Sequence, residues 1–478
     1  MKTTKTPFFI VLLKSVTILL CLFMALQFLM EFVTYTFSVT DTRAQVFESW
    51  GTSSAWWSQD IESEELANEI AKALYSKTEG LGLDVYRYNV GAGERDNPNS
   101  RIANPRGQTE SFYVFSEQTG QWEYNFTRDA NARRMLDKAI EQGANQVILF
   151  CNSPHYSMTV SAHASGALTE FTTNLAPENY QAFVDYLLTI ADWFVEQGYP
   201  ITGISPINEP MWRWGGDWVG QEGCHMNPEE SIALLELFAV TMQERNSPYA
   251  LFAPESGEMT NNYKHYNDLF FSSEILNEFC DTFSAHSYWI TTGQKKKAGE
   301  RFREMYPDKK FEVSEWCELP MKIDSDSIDS GLYKANIIIE DLTLFNAVSW
   351  QSWTAVNNDG VMKRDGDGLH YFTRYWAFRH FSSFIKPEAV RQEMKTPFWR
   401  WHKISSLAFE QENERVAVLV NNSRFPKKIR LSGEYETMEI FTTDSEKRCE
   451  KVVDGAFQEN FTLAPRSINT VVLRLPRP

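Results

Sequence analysis

Two glutamates in this chain each follow directly on a short apolar, strand-like run: Glu209 in "SPINEP" and Glu315 in "VSEW". Two carboxyl groups are what cleavage of a glycosidic bond requires. One protonates the departing oxygen while the other works on the opposite face of the sugar. At a separation of about 5–5.5 Å the second can bond directly to the anomeric carbon. A lone Asn-Glu-Pro is more often a turn on the surface than a catalytic feature. A second glutamate predicted at another strand end makes a pair the better reading, with Glu209 as acid/base and Glu315 as nucleophile.

The other predicted strands end on residues suited to hold a sugar. Trp56 and Trp57 follow the first, Arg87 the second, Asn152 the third, and Asn208 precedes Glu209 on the fourth. Glu255 ends the fifth, His286 and Tyr288 the sixth, and Trp350 and Trp353 the eighth. Asn208 would bond a sugar 2-hydroxyl, Arg87 would keep Glu315 ionised, and Tyr288 would donate to its second oxygen. The tryptophans would give sugar rings flat floors. Plainer readings stand beside these. Glu255 serves equally well as a buried loop carboxylate, His286 as a structural histidine, and Trp212 and Trp214 as rim aromatics.

These residues need a scaffold that collects strand ends. "DVYRYNV", "NQVILFC", "ITGISPI", "YALFAP", "DTFSAHSY", "KFEVSE" and "AVSWQSW" read as strands, separated by stretches of helical period. In one such stretch Phe183, Leu187, Ile190 and Phe194 fall on one face, and Gly198 and Pro200 stop the helix. With "SWGTSSAWW" as the first, eight strand positions predict a (β/α)8 TIM barrel over residues 45–385, with its chemistry at the C-terminal strand ends. From 386 to 478 the helical period vanishes. "RVAVLVNN", "KIRLSG", "TMEIFTT" and "INTVVLRL" predict an antiparallel β-sandwich, which the strand just before the barrel could join. Residues 1–40 carry Lys2, Lys5 and an apolar run, Val16 to Met30, and read as a signal peptide or N-terminal membrane anchor. The rest is then expected to be secreted or at the cell surface.

A net charge of −17 argues against nucleic acid or an anionic membrane as partner. Any membrane contact would run through the N-terminal segment alone. Beyond that segment five widely spaced cysteines form neither a disulfide framework nor a zinc signature. "NNDGVMKRDGDG" and "GERDNPN" lack calcium-loop spacing, so no metal or other cofactor is expected. A monomer acting on a polysaccharide or oligosaccharide is the expectation.

"SWGTSSAWW", "VYRYNVG", "NSPHYSMT", "ISPINEP", "SAHSYW" and "VSEW", in this order, resemble glycoside hydrolase family 30, in the clan of retaining (β/α)8 glycosidases. The resemblance spans nearly the whole chain after the leader. It implies Glu209 as acid/base, Glu315 as nucleophile and a C-terminal β-sandwich. "WGTSSAWW" looks most like the endo-β-1,6-galactanases, which act on arabinogalactan side chains. His155-Tyr156-Ser157-Met158 departs from those relatives, in a loop that shapes the sugar subsites. The alternatives are another activity of the family (a β-1,6-glucanase, xylanase or glucosylceramidase) and a non-catalytic carbohydrate-binding protein on a degenerate barrel. Loss of one glutamate would favour the last, and both are present.

Overall fold

Eight short runs rich in β-branched and aromatic residues form a ring of parallel strands: β1 (Ser49–Ser53), β2 (Val85–Asn89), β3 (Gln146–Phe150), β4 (Ile201–Ser205), β5, β6 (Thr282–His286), β7 (Lys310–Trp316) and β8 (Ser349–Thr354). β5 is two pieces either side of Phe252, Ala250–Leu251 on β4 and Ala253–Ser256 on β6, so the ring closes through a break. Gly203 on β4 permits that break, since a Cβ there would lie 2.0 Å from the Phe252 ring. This is a TIM-like barrel. The computed structural model describes residues 12–18, 33–260, 264–319, 322–366, 368–398 and 402–476.

Helices return the chain between strands. The first, α1 (Glu64–Tyr75), starts where the Ser63 hydroxyl accepts from Leu66 N–H, with Glu64 and Glu65 beside its positive end. α2 (Ala130–Gln142) follows β2, and α3 (Tyr180–Glu196) buries Phe183, Leu187, Ile190 and Phe194, the predicted stripe. Strand residues that face this outer layer are large. Trp50 on β1 and Trp350 on β8, paired in register, both pack on Phe378, at 5.7 and 5.3 Å between ring centroids. Each such indole removes roughly 200 Å² from water, worth about 5 kcal/mol against an unfolded reference.

The chain divides into two units, Ala44–Arg391 and a second made of Met1–Arg43 with Gln392–Pro478. The second is built on a nine-stranded sheet. That sheet is mixed rather than purely antiparallel, because Thr34–Val46 runs parallel to Lys427–Ser432. Phe37, Leu419, Ile429, Leu431 and Val471 are fully buried in its core. The predicted leader over 1–40 falls mostly outside the described residues. The strand that begins at Thr34 belongs to this sheet. Among the described residues no helix is long and apolar enough to cross a membrane.

Gly51 on β1 marks a crowded point of the barrel: a Cβ there would meet Val85 Cβ at 2.8 Å and Gln351 Cγ at 3.0 Å. Gly51→Ala is therefore expected to destabilise the fold by about 1–3 kcal/mol. Urea titration checks this; an unchanged midpoint would show that the strands can part at no cost.

Candidate active site

Strands β2, β6 and β7, the second piece of β5 and the turn after β4 bring five ionisable groups into one buried cluster. Arg87 lies wholly buried on one side of it. Its Nη1 donates to Glu315 Oε2 at 2.9 Å, and its Nη2 lies 3.4 Å from both Glu255 Oε1 and Asn208 Oδ1. The guanidinium sits 4.0 Å above the Phe150 ring, which fixes its plane. His286 lies on the other side. Its Nδ1 is 3.0 Å from Glu209 Oε1 and 3.5 Å from Glu315 Oε1, and its Nε2 is 3.2 Å from Glu255 Oε2. The Ser205 and Ser314 hydroxyls donate to the two oxygens of Glu255, at 2.8 and 2.5 Å. Tyr288 donates to Glu315 Oε1 at 3.1 Å.

Two of the glutamates hold backbone that L-residues rarely adopt, with φ 45° at Glu209 and 55° at Glu255. Each such residue costs about 1–3 kcal/mol and persists only when its surroundings dictate it. Here Glu209 N–H donates to Glu255 O at 3.0 Å, while Trp212 N–H and Trp214 Nε1 donate to Glu209 O at 2.9 and 2.8 Å. Gly257 leaves room for the carboxyl itself, since a Cβ there would lie 2.7 Å from Glu209 Oε1.

Charge balance decides the protonation of the cluster. Burial alone would raise Glu255, but Arg87, His286 and the Ser314 hydroxyl outweigh it and hold its pKa at about 2. Burial would likewise lower His286, yet Glu315, Glu209 and Glu255 push it up to about 10, which favours the charged ring. Burial opposes the charge on Arg87, and Glu255 and Glu315 restore it. At Glu315 burial wins and raises the pKa, with His286 and Arg87 pulling down and Glu209 adding to the rise. Two cations against three carboxyl groups are neutral when one carboxyl carries a proton, and a neutral buried cluster costs least. Glu255, held low, is not that carboxyl.

One ligand atom from each of Glu209, His286 and Glu315 lies within 4.8 Å of the others, close enough to surround a cation. Arg87 already pairs with Glu315, and His286 bridges Glu209 and Glu255. The donor set therefore suits an ion-pair network better than a metal.

Of the residues singled out in the sequence, Glu209, Glu315, Arg87, Asn208, Glu255, His286 and Tyr288 come together. Asn152 stands at the edge, donating to Asn89 Oδ1 at 2.8 Å and leaving its own buried Oδ1 without a partner. Trp56 packs edge-on against Trp353 at 5.5 Å, and Trp353 against Phe150. Trp350 does not belong here. Its Nε1 donates to Asp341 Oδ2 at 2.9 Å and its ring lies under Lys334, on the helix side of β8. Side chains alternate along a strand, so Trp350 and Trp353, three apart, point opposite ways. Trp57 is buried too, donating to Ser53 O and lining a cavity with Asp60, Arg106 and Lys363 rather than touching the glutamates. The sequence reading missed Ser205, Ser314 and Gly257; small residues beside a glutamate are too common to signal anything alone.

A family model described as O-Glycosyl hydrolase family 30 matches residues 33–366. The chain is similar to an endo-β-1,6-galactanase from Hypocrea rufa, 26% identical over 71% of this chain and 72% of that protein. It also resembles the crystal structure of a conserved exported protein from Bacteroides fragilis, with a TM-score of 0.82, 25% identity, and coverage of 91% of this chain and 100% of that one. The structure of an endo-β-1,6-glucanase shares the fold, with a TM-score of 0.68 at 16% identity, covering 92% of this chain and 94% of that one.

The raised His286 pKa makes stability depend on pH. A group held above its unfolded value contributes fully below that value, 6.5 for His286, and nothing above its folded value of about 10. Stability measured by denaturant is expected to fall steadily across that window. Glu255→Gln removes one of the carboxylates that raise His286, so the fall should then finish at lower pH. An identical profile in the variant would remove Glu255 from the network.

Proposed function

The chain belongs to O-glycosyl hydrolase family 30, and from that premise we propose a retaining endo-β-1,6-galactanase in which Glu209 is the acid/base and Glu315 the nucleophile. One observation carries the mechanism: the nearest oxygens of the two carboxyl groups lie within 4.8 Å. That spacing suits direct attack, whereas an inverting pair stands about 6.5–9.5 Å apart to admit a water.

In the first step a Glu315 oxygen bonds to the anomeric carbon as the bond from that carbon to the leaving oxygen breaks. Glu209 gives its proton to the leaving oxygen, and the cluster remains balanced because Glu315 has lost its charge as Glu209 gains one. His286, already donating toward Glu209 Oε1, meets the new carboxylate without moving. In the second step Glu209 takes a proton from water, the water oxygen bonds to the anomeric carbon, and Glu315 leaves as a carboxylate. Arg87 and Tyr288 aim Glu315, and Asn208, held through Arg87, faces the sugar 2-hydroxyl. Glu255 holds Arg87 and His286 in place and is a positioning residue. Trp353 with Trp56 floors the sugar that stays on the enzyme.

Similarity to the Hypocrea rufa galactanase supports β-1,6-linked galactan as substrate. The exported Bacteroides fragilis relative and the apolar segment in residues 1–40 support action outside the cytoplasm. A non-catalytic binding protein would have no use for a strained, charge-balanced pair.

Incubation with β-1,6-galactan, β-1,6-glucan and glucuronoxylan in parallel, with products read by mass spectrometry, is expected to give oligosaccharides from galactan alone. Products from another glycan would move the substrate and keep the pair. Glu315→Gln should lower kcat by about a thousandfold or more. Near-normal turnover in that variant would sink the mechanism.

A further inference from the structure

Trp289, after Tyr288 at the exit of β6, is 49% exposed and the one exposed tryptophan among the described residues. It lies flat against Trp212, with ring centroids 5.3 Å apart and planes 17° from parallel. Trp212 is three residues beyond Glu209 and bonded to its carbonyl, so the stack joins the β4 and β6 loops beside the proton donor. Trp289 also adopts φ 50°, a left-handed conformation costly for a bulky residue. Core packing explains neither feature, since an indole left half in water forgoes much of what burial would give. Exposure, strain and stacking coincide at one rim of the mouth.

We propose that the Trp212–Trp289 pair is the platform on which the leaving-group sugar rests. The inference depends on Glu209 being the acid. A proton donor must stand beside the leaving oxygen, so side chains on its own loop border the departing sugar. Trp353 and Trp56, on β8 and at the exit of β1, lie on the side of the ring next to β7 and border the retained one. A pyranose presents a face of C–H groups, which packs on an indole and leaves its hydroxyls at the edge. Such a platform binds a sugar ring as such, adding affinity for a saccharide leaving group while the linkage is chosen elsewhere.

The test compares two substrates with the same donor sugars, an oligosaccharide and the matching β-glycosyl fluoride, whose departing fluorine cannot reach Trp289. Trp289→Ala should lower the ratio of kcat/KM for oligosaccharide to that for fluoride by about three- to tenfold. Trp289→Phe, which keeps a flat ring, should recover part of that ratio. An unchanged ratio overturns the platform and leaves Glu209 and Glu315 as they stand. Failure of the wild-type chain to turn over either substrate overturns the glycosidase mechanism and the platform with it.

Discussion

Glu255 is a carboxylate wholly shut away from bulk solvent, and the charges around it follow from that. An isolated buried anion would take up a proton; Arg87, His286 and two serine hydroxyls keep this one ionised instead. In doing so Glu255 anchors both cations of the site, one on each side. Arg87 then has a free edge for Glu315, and His286 has Nδ1 for Glu209. Arg87 is shared between Glu255 and Glu315, and His286 among Glu255, Glu209 and Glu315, so the two members of the pair are linked through the same cations. That coupling suits a reaction in which charge passes from Glu315 to Glu209 and back.

The barrel makes this arrangement possible by collecting strand ends, and it strains its backbone to do so. Glu209, after β4, and Glu255, in the second piece of β5, both sit at positive φ and are joined by a backbone hydrogen bond. Gly203 admits the Phe252 ring at the β5 break, and Gly257 leaves room for the Glu209 carboxyl. Local conformational cost at the site is offset by well-packed layers elsewhere, such as Trp50 and Trp350 on Phe378.

That Glu209, Glu315, Arg87, Asn208, His286 and Tyr288 converge was legible, because each lies at or just past a recognisable strand and a barrel gathers those ends at one mouth. The role of Glu255 was not, since "APESGEM" does not say which cation its carboxylate will meet. Trp350 was misread for a reason particular to parallel strands. They are buried on both faces, so no alternation of polar and apolar residues tells which side faces the mouth. "YALFAP" reads as one strand because the break at Phe252 depends on its approach to Gly203, a contact between strands. The parallel partner of Lys427–Ser432 was hidden by distance along the chain, coming from Thr34–Val46.

A nucleophilic Glu315 must become covalently bonded to sugar during turnover. A 2-deoxy-2-fluoro glycosyl fluoride of the donor sugar slows both steps but the second more, so the intermediate accumulates. Intact mass followed by peptide mapping reads it directly. One added glycosyl group is expected, on the peptide carrying Ser314-Glu315-Trp316, and none in Glu315→Gln. A label on any other carboxylate, or an inactivated enzyme with no added mass, would contradict it.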